Sequence, residues 1–141
     1  MIEFREFVMD DYDAVLALWK ATPGMGLSGA DEREPIARFA QRNPGLCWLA
    51  VDGERVVGTA FCGQDGRRGY IHHTAVDTAY RRQGIAQSLL EHCFAELAEQ
   101  GIQKCHLFVM KDNEIGVSFW RSQAWQERTD LMMFSKSVEQ E

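Results

Sequence analysis

The chain has 141 residues, 45% of them hydrophobic and 26% charged, with a formal net charge of −6. That length suits one compact domain spanning residues 1–141 and leaves little room for a second, and the composition excludes wholesale disorder and fibrous repeats. The negative charge disfavours general affinity for nucleic acid or an anionic membrane, and the acids Glu3, Glu6, Asp10 and Asp11 near the start do not fit a basic-then-apolar leader, so a cytoplasmic protein is expected.

Ile2 to Val8 predicts a first strand. Asp10 then caps a helix with Tyr12, Val15, Leu16 and Trp19 at helical spacing. The stretch ATPGMGLSGAD, with Pro23 and three glycines, reads as a flexible loop and a candidate substrate lid. A second helix follows from Asp31 to Gln41, stopped by Asn43-Pro44-Gly45. LCWLAV and RVVGTAFCG predict two antiparallel strands joined at Asp52-Gly53, and QDGRRG turns the chain into a fourth strand, YIHHTAV. Ile85, Leu89, Leu90, Cys93, Phe94 and Leu97 mark one face of a helix ending near Gly101. KCHLFVM predicts a fifth strand, NEIGVSFWRS a short helix and LMMFSKS a last strand. The strand, helix and strand from 69 to 110 form a crossover unit, so the fourth and fifth strands should run parallel. The order β-α-α-β-β-β-α-β-α-β describes an α+β fold, a mixed central sheet flanked by helices.

Cys47, Cys62, Cys93 and Cys105 show no CxxC pairing and lie in apolar stretches, which suits reduced core thiols; no metal is called for. Between Arg67 and Arg82 the chain carries four arginines and a single acid, Asp77, a local positive patch on a negative protein. Gly84 permits a sharp entry to the following helix, whose first amides would face an anion. The helix dipole supplies only about 0.3–1 kcal/mol, whereas micromolar affinity needs roughly 8 kcal/mol. Several amides, the arginines and an apolar contact must therefore act together. The pattern is neither a P-loop nor a dinucleotide turn.

Arg81-Arg82-Gln83-Gly84-Ile85-Ala86 resembles the Q/R-x-x-G-x-G/A signature of the GNAT superfamily, the acetyl-CoA-dependent N-acetyltransferases, and NEIGVSFWRSQAW resembles that family's second block. The predicted element order is also the family's, and the layout is similar to small bacterial acetyltransferases of the YpeA type. The resemblance implies that Arg81, Arg82, Gln83, Gly84, Ile85 and Ala86 grip the pyrophosphate of acetyl-CoA. It also implies that the backbone of Thr74, Ala75 and Val76 pairs with pantetheine, and that Asn113 contacts the cosubstrate. The family's tyrosine, which protonates the departing thiolate, corresponds to Trp120, and indole is not a usable acid; Trp120 is instead a candidate wall of the thioester pocket.

An amine acceptor must lose a proton. By the resemblance His72 is the preferred base, with Tyr70 as its neighbour on the same strand face; alternation lets only one of His72 and His73 face the cleft, so His73 reads as structural. The expectation is an enzyme that moves an acetyl group from acetyl-CoA to a primary amine of a small molecule or peptide. A non-catalytic acyl-CoA-binding module is the alternative, motivated by Trp120, and a partner-binding domain a further one. The edge strands permit a homodimer.

Overall fold

The computed structural model describes residues 1–139. Its elements are β1 (Ile2–Glu6), α1 (Tyr12–Lys20), α2 (Arg33–Arg42), β2 (Cys47–Asp52), β3 (Arg55–Gln64), β4 (Gly69–Val76), α3 (Ile85–Glu99), β5 (Cys105–Leu107) and α4 (Glu114–Ser122), with single 3-10 turns at Met9–Asp11, Gly29–Asp31 and Thr78–Tyr80. The strands form one sheet in the order β1-β2-β3-β4-β5, antiparallel except for the last pair, β4 and β5, which run parallel. That is the mixed sheet and the parallel crossover expected from the sequence.

Helices cover both faces. On one side Val15, Leu18 and Trp19 of α1 and Ile36 of α2 pack with Leu49, Val51, Phe61 and Ala75. On the other Ile85, Leu89, Leu90, Cys93 and Leu97 of α3 meet Ala50, Val57, Ala60, Cys62 and Ile71. Phe94 lies at the margin of this second layer, 45% exposed. Close approach decides two glycines. A Cβ on Gly58 would meet Ile85 at 3.0 Å, and one on Gly63 would meet the Phe39 ring at 2.8 Å, so both helices lie directly on β3. Three of the four cysteines are buried and all are free thiols; burial pushes the Cys47 thiol up to about 12.

Three expectations change. Asp11 rather than Asp10 stands at the N-terminal cap position of α1, without a side-chain bond into that helix: its carboxylate accepts from the upstream Val8 amide at 3.0 Å and from both terminal nitrogens of Arg5 at 2.8 Å. The fifth strand shrinks to three residues, leaving Phe108 and Met110 exposed. The segment expected as a last strand is irregular, with Leu131, Met132, Met133 and Phe134 between 60% and 88% exposed. Its residues have strand-like composition, but so short a β5 offers few backbone groups for a ladder. Among the described residues no helix is long and apolar enough to cross a membrane.

The Arg5 guanidinium beside Asp11 holds that carboxyl below the usual carboxylate range. A depressed value stabilises the fold above the unfolded pKa of about 3.9 and stops doing so as pH falls through the folded value. Arg5 is 46% exposed, so Asp11→Asn should cost no more than about 1 kcal/mol at neutral pH. The gap between urea midpoints of the two proteins should close on acidification through the carboxylate range.

Candidate active site

On β3 and β4, Phe61 stands opposite His72 and Thr59 opposite Ala75, so Ala60 alone faces both His73 and Thr74. This is a β-bulge, and His73 takes it up with φ of 47°, left-handed for a residue that is not glycine. The extra residue cancels one alternation. His72 and His73 consequently lie on the same face: the His72 ring is edge-on to Phe39 of α2 at 5.6 Å, and the His73 ring lies 4.6 Å from Trp19 of α1. The expectation that only one of the two histidines faces this side is corrected. Tyr70 stands opposite Gly63, with its ring 5.7 Å from that of His106 on β5.

His73 is held from three directions. Its Nε2 lies 2.6 Å from Asp31 Oδ1, its carbonyl oxygen accepts from the Thr59 hydroxyl at 2.8 Å, and Trp19 covers the ring. Trp19 Nε1 in turn donates to Thr59 Oγ1 at 3.0 Å. Asp31 sits in the 3-10 turn ahead of α2, where its Oδ2 accepts from the Ser28 amide at 2.9 Å and its carbonyl from the Tyr12 hydroxyl at 2.6 Å. Its side chain is 10% exposed, that of His73 17%. The second half of the glycine-containing loop is thus a capped turn tied to the sheet. From the sequence Asp31 reads only as a helix start, and no local signal marks its contact with a residue 42 positions away.

His72 has no carboxylate of its own. His72 is exposed as a residue, with Phe39 edge-on to its ring; partial desolvation there, followed by the nearby His73, holds its pKa below the ordinary histidine value against the opposing pull of Asp31. A histidine depressed in the folded state binds fewer protons there than in the unfolded chain, so stability falls as pH drops below about 6.5. His72→Gln should lose less stability between pH 7 and pH 5 than the parent does, measured as the shift in urea midpoint.

Just ahead of the bulge the sheet opens. The parallel ladder pairs Gly69 with Cys105, Tyr70 with His106 and Ile71 with Leu107, then stops, while β4 runs on to Val76. The β4 edge at Thr74, Ala75 and Val76 therefore has no strand beside it on the β5 side. Thr74 Oγ1 is buried without a partner among the described residues. Next comes the turn Thr78–Tyr80, anchored to the β2–β3 hairpin. Asp77 accepts from the Ala79 amide at 2.9 Å and from Arg55 at 2.8 Å, and the Tyr80 hydroxyl donates to Asp52 at 2.6 Å. The chain then turns through Arg82 (φ 65°), Gln83 and Gly84 (φ 75°) into Ile85 and Ala86. The first α3 bond runs from the Ser88 amide to the Gly84 carbonyl at 3.0 Å, and no side chain caps the end, so the amides of Ile85, Ala86 and Gln87 are free for an anion. Arg81 lines a cleft of about 70 Å³ with Val76, Thr78 and Thr22.

Asn113 caps α4, its Oδ1 accepting from the Gly116 amide at 3.0 Å. The same side chain lies against Gly24 (φ 81°), where a Cβ would come within 2.7 Å of Asn113 Cγ. The first half of the loop therefore rests on the start of α4. The Trp120 ring packs on Phe119 at 5.0 Å and on Trp125 at 5.2 Å, and Trp125 packs on Phe94 of α3 at 5.7 Å. This aromatic seam fastens α4 to α3. The structure thus gathers His72, His73 and Asp31 beside the open edge of β4, with Arg81 to Ala86 at that strand's downstream end.

Residues 12–125 match the acetyltransferase (GNAT) family. An acetyltransferase of Photorhabdus laumondii is 31% identical over 138 residues, covering 97% of this chain and 96% of its own. Among solved structures, the PaiA N-acetyltransferase from Thermoplasma acidophilum in complex with coenzyme A superposes with a TM-score of 0.76 at 18% identity, covering 89% of this chain and 90% of its own. A predicted acetyltransferase from Clostridium acetobutylicum with acetyl-CoA gives 0.73 at 19% identity, covering 96% of each chain. The chain belongs to the GNAT family of acetyltransferases.

Proposed function

We propose that this protein transfers the acetyl group of acetyl-CoA to a primary amine of a small molecule or peptide. The observation that carries the reading is the parting of β4 from β5 after Ile71–Leu107, just ahead of the histidine pair, with the Gly84 corner downstream of the freed edge. An amide-bearing pantetheine arm can pair with such an edge as an added strand, here along Thr74, Ala75 and Val76. The pyrophosphate then reaches the amides at Ile85 and Ala86, with Arg81, Arg82 and the Gln83-Gly84 turn around it. The thioester carbonyl comes to lie by the bulge, where β4 amides stabilise the oxyanion of the tetrahedral intermediate. Tyr70 and His72 flank the acyl end. Asn113 acts at the mouth by positioning the loop, and Trp120 acts through the seam that holds α4. CoA and acetyl-CoA in the complexes of the two structural relatives support the choice of cosubstrate.

Calorimetric titration with acetyl-CoA, followed in the same sample by thiol release against a panel of small amines and a lysine peptide, tests the reading. Micromolar binding with amine-dependent release is expected. A folded sample that binds no acetyl-CoA would overturn it, and binding without release to any amine would overturn the amine acceptor.

A further inference from the structure

We propose that His73, backed by Asp31, takes the proton from the acceptor amine, in place of His72; this rests on the acetyl-transfer reading above. A carboxylate only accepts hydrogen bonds, so in the neutral ring the 2.6 Å contact places the imidazole hydrogen on Nε2 and leaves the lone pair on Nδ1. Nδ1 makes no hydrogen bond to the described residues, nor is it among the buried atoms left without a partner. It is therefore open to an incoming group. The ring is fixed by the Thr59 bond to its carbonyl and by Trp19 on its face, in a left-handed conformation that residues other than glycine seldom adopt and that concentrates at functional sites. A proton arriving on His73 meets the Asp31 charge at once, while one arriving on His72 meets the neighbouring imidazole and no carboxylate of its own. The charged or titratable groups facing His73 are Asp31 from the loop and His72 from its own strand, with the Tyr12 hydroxyl one bond further, on the Asp31 carbonyl.

The step balances as follows. Nδ1 of His73 takes one proton from the bound ammonium and later returns it to water. The freed nitrogen lone pair attacks the thioester carbon, forming the C–N bond and moving the carbonyl π pair onto oxygen; collapse of that tetrahedral intermediate breaks the C–S bond, and the second nitrogen proton ends on the departing sulfur through solvent. Acetylated amine, CoA thiol and one proton leave. Asp31 touches no reacting atom and is a positioning residue.

Thiol release from acetyl-CoA is compared with a primary alkylamine and with hydroxylamine, whose nitrogen is unprotonated at neutral pH. His73→Asn keeps a residue that tolerates the left-handed backbone. It should lose on the order of 10²–10⁴-fold in rate with the alkylamine, far less with hydroxylamine, and nothing in calorimetric acetyl-CoA affinity. Asp31→Asn should show a smaller loss with the same hydroxylamine rescue, whereas any loss in His72→Gln should be the same with both nucleophiles. Nitrogen-15 NMR of the parent imidazoles should report an unprotonated Nδ1 on His73. Equal losses with both nucleophiles in His73→Asn, full alkylamine activity in that variant, or a hydrogen on Nδ1 would each overturn the assignment while leaving acetyl transfer intact. A parent protein that binds no acetyl-CoA would overturn the reading on which it rests.

Discussion

Trp19→Ala is expected to lower the unfolding free energy by about 3–5 kcal/mol. Trp19 is fully buried, edge-on to Phe61 at 5.1 Å and covering the His73 ring at 4.6 Å. Truncation removes that apolar area, opens a cavity at the junction of α1 with the sheet, and leaves Thr59 Oγ1 without its donor. Against a typical total of about 5–15 kcal/mol the loss is a large share. It should appear as a lower urea midpoint with an unchanged denaturant slope. Trp19→Phe separates the contributions: it keeps most of the packing and should cost about 1–3 kcal/mol, the penalty for one buried hydroxyl short of a partner plus a small void. A Trp19→Ala protein as stable as the parent would mean that α1 is not seated on β3 as described.

The second large effect is on affinity. Gly84→Val should raise the dissociation constant of acetyl-CoA at least about tenfold, the equivalent of 1.4 kcal/mol. Gly84 has φ of 75°, a region in which a β-branched residue is an outlier costing on the order of 1–3 kcal/mol. No atom lies within 4 Å of the position its Cβ would take, so the penalty is one of backbone conformation. The chain relieves it by moving the start of α3, which turns the free amides of Ile85 and Ala86 away from their common target. Titration calorimetry reads the affinity, and far-ultraviolet circular dichroism checks that the helices persist. Unchanged affinity would remove the corner from the anion site.

What the sequence made legible was local. The apolar faces of α1 and α3 follow from spacing within a single helix, the parallel pairing of β4 with β5 follows from the length of one crossover, and Gly84 announces its own backbone. The bulge is different. It is defined by where Phe61 and Thr59 stand on β3, and no glycine marks it, so the strand reads as regular and the two histidines as opposed. Asp31 was out of reach for the same reason: its contact with His73 spans 42 residues, and nothing in either neighbourhood names the other. The expected last strand failed in the opposite sense, since Leu131 to Phe134 have the composition of a strand, but composition does not supply a long enough neighbour.

The bulge also divides β4 into two independently indexed halves. Gly69 to His72 keeps step with Phe61 to Gln64, and Ala75 to Val76 keeps step with Gly58 to Thr59. Removing one residue between them would restore a regular strand by carrying one half a step along the other, exchanging inward for outward positions throughout it. Point substitutions can retune either histidine alone, whereas a single-codon deletion would rewrite the whole face.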